Sequence, residues 1–332
     1  MSSSATPMPG FPRARSDHGT VVFTVAAGRT RRKNAAMNDE LKALLERGDT
    51  DAALALATKR LAEARSGGDD ASLALALIDD ARAQMAHGDR DEAVMTVDEA
   101  ISRARKGLGP KDARYAEALE LGGEIAAAAS MPNAADARFR AAIEVLESAG
   151  IAGAPLAHAL LHHGLFRRSQ GDAVGAVRAF SAVVTRAGED PEARAFGATA
   201  LTEMGFVVLD EGQVASAREV GDRALEVFLS LGRARRVEVA DAMALVGLAA
   251  LRQGEPSTAR DFLETACEVY RGTKAPAGGR RALAHHHLGR ALAELGEKAA
   301  ARATLLDAID LYREGSGERI AIEQEVLDLA RG

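Results

Sequence analysis

RALAHHHLGRALAELGEKAAARATLLDAI, residues 281–309, places Gly296 before an acid at a short turn, with an alanine, Ala301, five positions on. The same marker recurs at Gly48, Gly88, Ser130, Gly171, Gly212, Gly254 and Gly296, at intervals of 40, 42, 41, 41, 42 and 42 residues. Five residues beyond each marker stands Ala53, Ala93, Ala135, Ala176, Ala217, Ala259 or Ala301. Nine beyond come Ala57, Val97, Phe139, Phe180, Gly221, Leu263 and Leu305, and thirteen beyond come Leu61, Ile101, Ile143, Val184, Leu225, Cys267 and Ile309. Offsets of 5, 9 and 13 share one face of a helix, so this face is expected to be buried. Seven residues before the turn lie Ala81, Gly123, Gly164, Gly205, Gly247 and Gly289. A helical glycine costs about 1 kcal/mol relative to alanine, and its recurrence implies close contact between the first helix and the alanine face of the second. The repeating unit is therefore two antiparallel helices, with Asp49, Asp89, Asp172, Glu255 and Glu297 placed to meet the N-terminal dipole of the second.

Composition agrees with an all-α chain. Of 332 residues, 47% are hydrophobic but only 4% aromatic, with no Trp, so the apolar content is mostly Ala, Leu and Val. The net charge of −6 gives no general nucleic-acid footprint. A single cysteine, Cys267, excludes an intrachain disulfide and any Cys-rich zinc module, and reads as a small core residue. No run approaches the length of a membrane span, and VVFTVAA at 21–27 is too short for a secretory segment; the expected location is cytoplasmic.

These positions resemble the tetratricopeptide repeat, which has Leu-Gly in its first helix, Gly at the turn, and Ala and a bulky residue in its second. In the last unit Ala284, Leu288, Gly289, Leu292, Gly296, Ala301, Leu305 and Ala308 stand at those positions, with Leu292 replacing the family's Tyr. The spacing of 40 to 42 residues exceeds the family's usual unit. Stretches such as RKGLGPKDARYAEAL at 105–119 are similar to the long-loop kinesin-light-chain subtype, with the extra residues expected between units. The resemblance implies a right-handed superhelical α-solenoid of about seven repeats over 37–316, a capping helix over 317–332, and a basic tail over 1–36. The third unit departs by carrying SMPN at 130–133, and the first by carrying Arg60 where the others keep a small residue, which suits a terminal cap. In the last segment Ile322, Val326 and Leu329 recur at helical spacing.

The tail carries net charge +5, leaving −11 on the remainder. RTRRK at 29–33 would suit a nucleic acid or anionic surface, a solvated tail is the plainer reading, and Met37 is an alternative start because the repeats begin after it.

The resemblance further implies a concave groove lined by first helices, with no cofactor and no enzymatic role. By register Glu117, Glu120 and Glu124 form an acidic stripe there, followed by Leu161, Leu165, Phe206, Leu209, Leu248 and Leu251 as an apolar strip, with His286 and Arg290 at the far end. The occupant expected is an extended or amphipathic protein segment with a basic end; a short signalling peptide, self-assembly, or burial of the leucines in a tightly wound array are the alternatives. The Lys/Asn clamp that the family uses for acidic C-termini is not matched, since Asn34, Asn38 and Asn133 miss the groove register. Phosphate-loop, metalloprotease and nucleophile-elbow motifs are absent, and Asp79 and Asp80 read as a solvated face. His158 and His162, four apart and facing Glu120 and Glu124, are the one metal candidate. Consecutive helical residues diverge by about 100°, so His285, His286 and His287 cannot converge on one ion; His285 is expected between helices, with His286 and His287 adding charge below about pH 6.5.

Overall fold

The computed structural model describes residues 35–67, 69–186, 188–232, 237–273, 279–312 and 315–331; the expected tail lies outside them, apart from Ala35 and Ala36. The described residues form helices and no strand. Seven antiparallel pairs follow in order: α1 (Ala35–Arg47) with α2 (Thr50–Gly67), α3 (Asp70–His87) with α4 (Arg90–Gly107), and α5 (Ala113–Ala128) with α6 (Pro132–Ser148). Then come α7 (Ala154–Ser169) with α8 (Ala173–Arg186), α9 (Pro191–Asp210) with α10 (Val214–Ser230), α11 (Val237–Arg252) with α12 (Pro256–Gly272), and α13 (Gly279–Glu294) with α14 (Lys298–Leu311). A last helix, α15 (Gly317–Arg331), seats Ile322 and Val326 on Leu305 and Ile309, with Leu329 packed beside them.

Each pair breaks at its marker residue, which adopts left-handed backbone: φ is 78° at Gly48, 107° at Gly88, 75° at Gly171, 82° at Gly212, 79° at Gly254 and 81° at Gly296. Ser130 does so at φ 59°, alone among described non-glycine residues, so the third unit keeps the turn despite lacking the residue that favours it. Pro132 then opens α6, where its missing N–H is no loss. All seven alanines five residues past the turn are fully buried. The acids beside the turns act mainly as ion-pair partners, Arg47–Asp49, His87–Asp89, Arg167–Asp172, Arg218–Glu255 and Arg260–Glu297. Of these acids Asp172 also takes a backbone N–H, from Gly175 at 2.8 Å.

The helical glycines face a bulky side chain rather than the expected alanine. A Cβ on Gly123 would lie 3.0 Å from the Phe139 ring, and one on Gly164 would lie 2.5 Å from Phe180. Gly247 and Gly289 meet Leu263 and Leu305, each at 2.6 Å. The two positions vary reciprocally along the chain: Leu41 against Ala57, Ala81 against Val97, then glycine against Phe or Leu. In the fifth unit both are glycine, Gly205 and Gly221, and Leu245 of the sixth unit enters instead, with a Cδ2 that would lie 2.2 Å from a Cβ on Gly205 and 3.2 Å from one on Gly221. Volume, rather than identity, is what the pair keeps constant.

First helices contact the first helices of neighbouring units, as α5 with α7, α7 with α9, α9 with α11 and α11 with α13, whereas second helices do not pack comparably on one another. That asymmetry puts first helices on the inner wall of an α-solenoid. The extra length per unit is not mainly loop. It extends helices such as α9, 20 residues long, while fully described connections between units such as 108–112 and 149–153 stay short.

Candidate partner-binding face

The apolar strip expected in the groove lies instead within the core. Leu161, Phe206, Leu209, Leu248 and Leu251 are 2, 8, 1, 3 and 8% exposed, because adjacent first helices abut and these side chains fill the joint between them. Leu165 is half-buried against the α7–α9 core. What the inner wall offers is polar.

Toward the N-terminal half, α3, α5 and α7 bring together Asp79, Arg82, Glu117, Glu120, Glu124, His158 and His162. Arg82 pairs with Glu117 at 2.5 Å. His158 Nδ1 and His162 Nδ1 lie 2.6 and 3.0 Å from Glu120 Oε1, and His162 Nδ1 lies 2.6 Å from Glu124 Oε1. The two imidazoles lie with centroids 4.1 Å apart and planes tilted by 40°, and His158 packs edge-on to Phe196. His162 and Glu120 are 3 and 8% exposed. Burial opposes charge on both, yet the Glu124 and Glu120 carboxylates raise His162 to about 10, and the two histidines hold Glu120 well below the usual carboxylate range.

Toward the C-terminal half, Arg280 of α13 reaches over α11. It donates to Glu203 of α9 at 2.6 Å and to Asp241 of α11 at 3.1 Å, and its guanidinium sits 4.3 Å from the centroid of the Phe206 ring. Arg168 of α7 pairs with the same Glu203, and Tyr270 donates to Asp241 at 2.5 Å. Burial and the Arg280 charge lower Arg168 to about 10. Glu203 is 5% exposed and holds two guanidiniums, so it is the hub of this network.

Asp79 and Asp80 are not a solvated face. Asp80 is 3% exposed and accepts from Thr58 at 3.1 Å and Gln84 at 3.0 Å, while Asp79 faces Arg60 at 3.9 Å, and burial raises both carboxyls. Arg60, the oversized residue of the first unit, is accommodated by Asp79 and Glu40. His285 is buried between helices, with Nδ1 2.8 Å from the Arg281 carbonyl and 3.5 Å from Cys267 Sγ. Desolvation lowers His285 and takes His287 well below its ordinary value, so the expected gain of charge at His287 near pH 6.5 does not occur. His286 turns to the capping helix, 3.1 Å from Glu325, and Arg290 is half-buried on α13. Cys267 is buried and its thiol is pushed up to about 12, as a core residue requires.

Glu117, Glu120, Glu124, His158 and His162 are marked by register in the sequence, whereas the hub of Arg168, Glu203, Asp241, Tyr270 and Arg280 is not. Arg168, Glu203 and Asp241 stand 3, 9 and 13 residues before their turns, the positions that supply the other inner-wall residues. Charge at those positions was the available signal.

A tetratricopeptide-repeat family model matches residues 198–272. No curated protein matches the sequence. Among solved structures, the chain is similar to the apo form of the quorum sensor NprR from B. thuringiensis, with TM-score 0.58 and 11% identity over 90% of this chain and 87% of that one. It is similar also to apo RapI, with TM-score 0.63 and 12% identity over 88% and 79%. A third is a signal transduction ATPase with a tetratricopeptide repeat sensor from Pyrococcus horikoshii, with TM-score 0.63 and 16% identity over 88% of this chain and 43% of that one. At such identities the likeness is one of fold, and it does not single out the long-loop subtype.

Proposed function

We propose that this chain, a helical solenoid with a tetratricopeptide-repeat match over residues 198–272, is a non-enzymatic adaptor whose inner wall receives an extended protein segment. The observation that carries this reading is the polar inner wall. Its α3–α5 end holds Asp79, Glu117, Glu120 and Glu124 against Arg82 and His162, whereas its α11–α13 end holds Arg252, Arg280 and Arg290 against Glu203 and Asp241. Such a gradient suits a segment lying with a basic end near Glu117 and an acidic end near Arg290, recognised by charge pairing rather than by an apolar face. Glu117 is 44% exposed at its side chain and can exchange Arg82 for an incoming cation without opening the core.

A second reading, a sensor that changes pitch on binding a short peptide, is supported by the Arg280 clasp, which a ligand's carboxylate could displace from Glu203 and Asp241. The fold shared with a quorum sensor is consistent with it.

The test is site-specific photo-crosslinking in the native host. A probe at Glu117, Leu165 or Arg290 is expected to trap one recurrent partner, and Glu117→Lys to abolish it; probes at exposed Met95 or Val174 on second helices are the controls. Equal trapping by inner and outer probes refutes the inner wall as the binding face. A trapped short peptide supports the sensor, and a trapped folded protein the adaptor.

A further inference from the structure

We propose that Glu120, His158 and His162 form a binding site for a divalent transition-metal cation, with Zn²⁺ the best match. On α7 the two histidines are four residues apart, hence on one face, and on α5 Glu120 and Glu124 face them with the same spacing. One ligand atom from each of Glu120, His158 and His162 falls within 4.8 Å of the others. The Nδ1 atoms approach one carboxylate oxygen at 2.6 and 3.0 Å, and tetrahedral zinc with bonds of 2.0–2.2 Å would spread such atoms to about 3.3 Å, a small side-chain adjustment.

An independent observation concerns Glu120 Oε1. It is buried on a residue 8% exposed, and although two imidazole nitrogens crowd it, no hydrogen bond of acceptable angle ends on it. A cation bound between the three atoms takes the place of the imidazole protons that otherwise face this oxygen, and binding releases them. Two nitrogens and a carboxylate select a borderline cation over Ca²⁺ or Mg²⁺, which take oxygen ligands. Three protein ligands leave a fourth position. His158 is 31% exposed at its side chain, so that position opens to the inner wall, with Glu124 alongside to accept from a metal-bound water. The site is independent of any partner segment.

Untagged full-length protein, stripped with chelator, is titrated with ZnCl2 by calorimetry and with CoCl2 by visible absorption. One Zn²⁺ per chain, a four-coordinate Co²⁺ spectrum, and at least about 100-fold weaker binding in both His158→Gln and Glu120→Gln are expected. His158→Gln carries the test if Glu120→Gln unfolds, because His158 is half-exposed, and unchanged helicity confirms its fold. His87→Gln, altering an exposed histidine beside Asp51 and Asp89, should leave binding intact. No binding by about 100 µM Zn²⁺, or binding lost in His87→Gln and kept in His158→Gln, overturns the proposal.

Discussion

Leu245→Ala is the perturbation that most directly tests how the fifth and sixth units are joined. Leu245 is fully buried and enters the space facing both Gly205 and Gly221, with Val220 beside it at the first and Val246 at the second. Removing three carbons loses about 2.4 kcal/mol of transfer free energy at about 0.8 kcal/mol each. The cavity adds to this: its glycine walls cannot lean inward, though Val220 and Val246 beside them can, so the total should fall within the usual range of about 2–5 kcal/mol. Gly205→Ala alone should cost about 1–3 kcal/mol by overpacking, less about 1 kcal/mol regained in helix propensity. In the double variant the new methyl enters the space that Leu245 vacates, so the pair should be less destabilising than the sum by at least about 1 kcal/mol. Denaturant unfolding followed by far-ultraviolet circular dichroism measures this. Repeat arrays need not unfold in one step, so hydrogen exchange over 191–252 should localise the loss to α9–α11. Additivity within about 0.5 kcal/mol would show that Leu245 does not fill the glycine gap.

Ser130→Gly should stabilise by about 1 kcal/mol, since the left-handed backbone at φ 59° penalises a side chain; a melting midpoint that does not rise refutes the strained turn. Glu203→Ala should cost about 1–3 kcal/mol, below the full value for a buried pair because the guanidiniums of Arg168 and Arg280 are 38 and 22% exposed, and Arg280→Ala should cost less. Equal, small losses in denaturant midpoint would remove Glu203 as the hub. In chelator, His162 is raised from 6.5 to about 10, so its pairing supports the fold fully below about pH 6.5 and is lost as pH rises through 10. Glu120 is lowered, so its share is present above about pH 4.5 and lost as pH falls. The melting midpoint should therefore decline from pH 7 to pH 9.5, more steeply than in His162→Gln, and identical slopes would contradict the ion pair.

The seven-pair solenoid was legible because its signals are local and repeated: an αL turn, a small residue at one helical offset, and a fixed interval. Glu120, His158 and His162 were legible for the same reason, since register alone puts α5 and α7 face to face. The leucines misled because register gives direction but not distance. It points Leu209 and Leu251 to the inner side, while how closely α9, α11 and α13 approach is set by the volumes of the helical glycine and its partner summed over many joints. The Arg280 network was hidden by sequence separation: its link to Glu203 spans 77 residues and skips a unit, which no nearest-neighbour reading of repeats anticipates.

That link has a mechanical meaning. A solenoid whose units touch only their neighbours bends at every joint separately, like a chain of independent hinges. Arg280 ties α13 to α9 across α11, so the hinges on either side of α11 are strapped together and neither can open far without parting Glu203 from its guanidinium. Bending of this half is thereby opposed by one shared contact, whereas the α1–α7 half has no such strap among its described ion pairs.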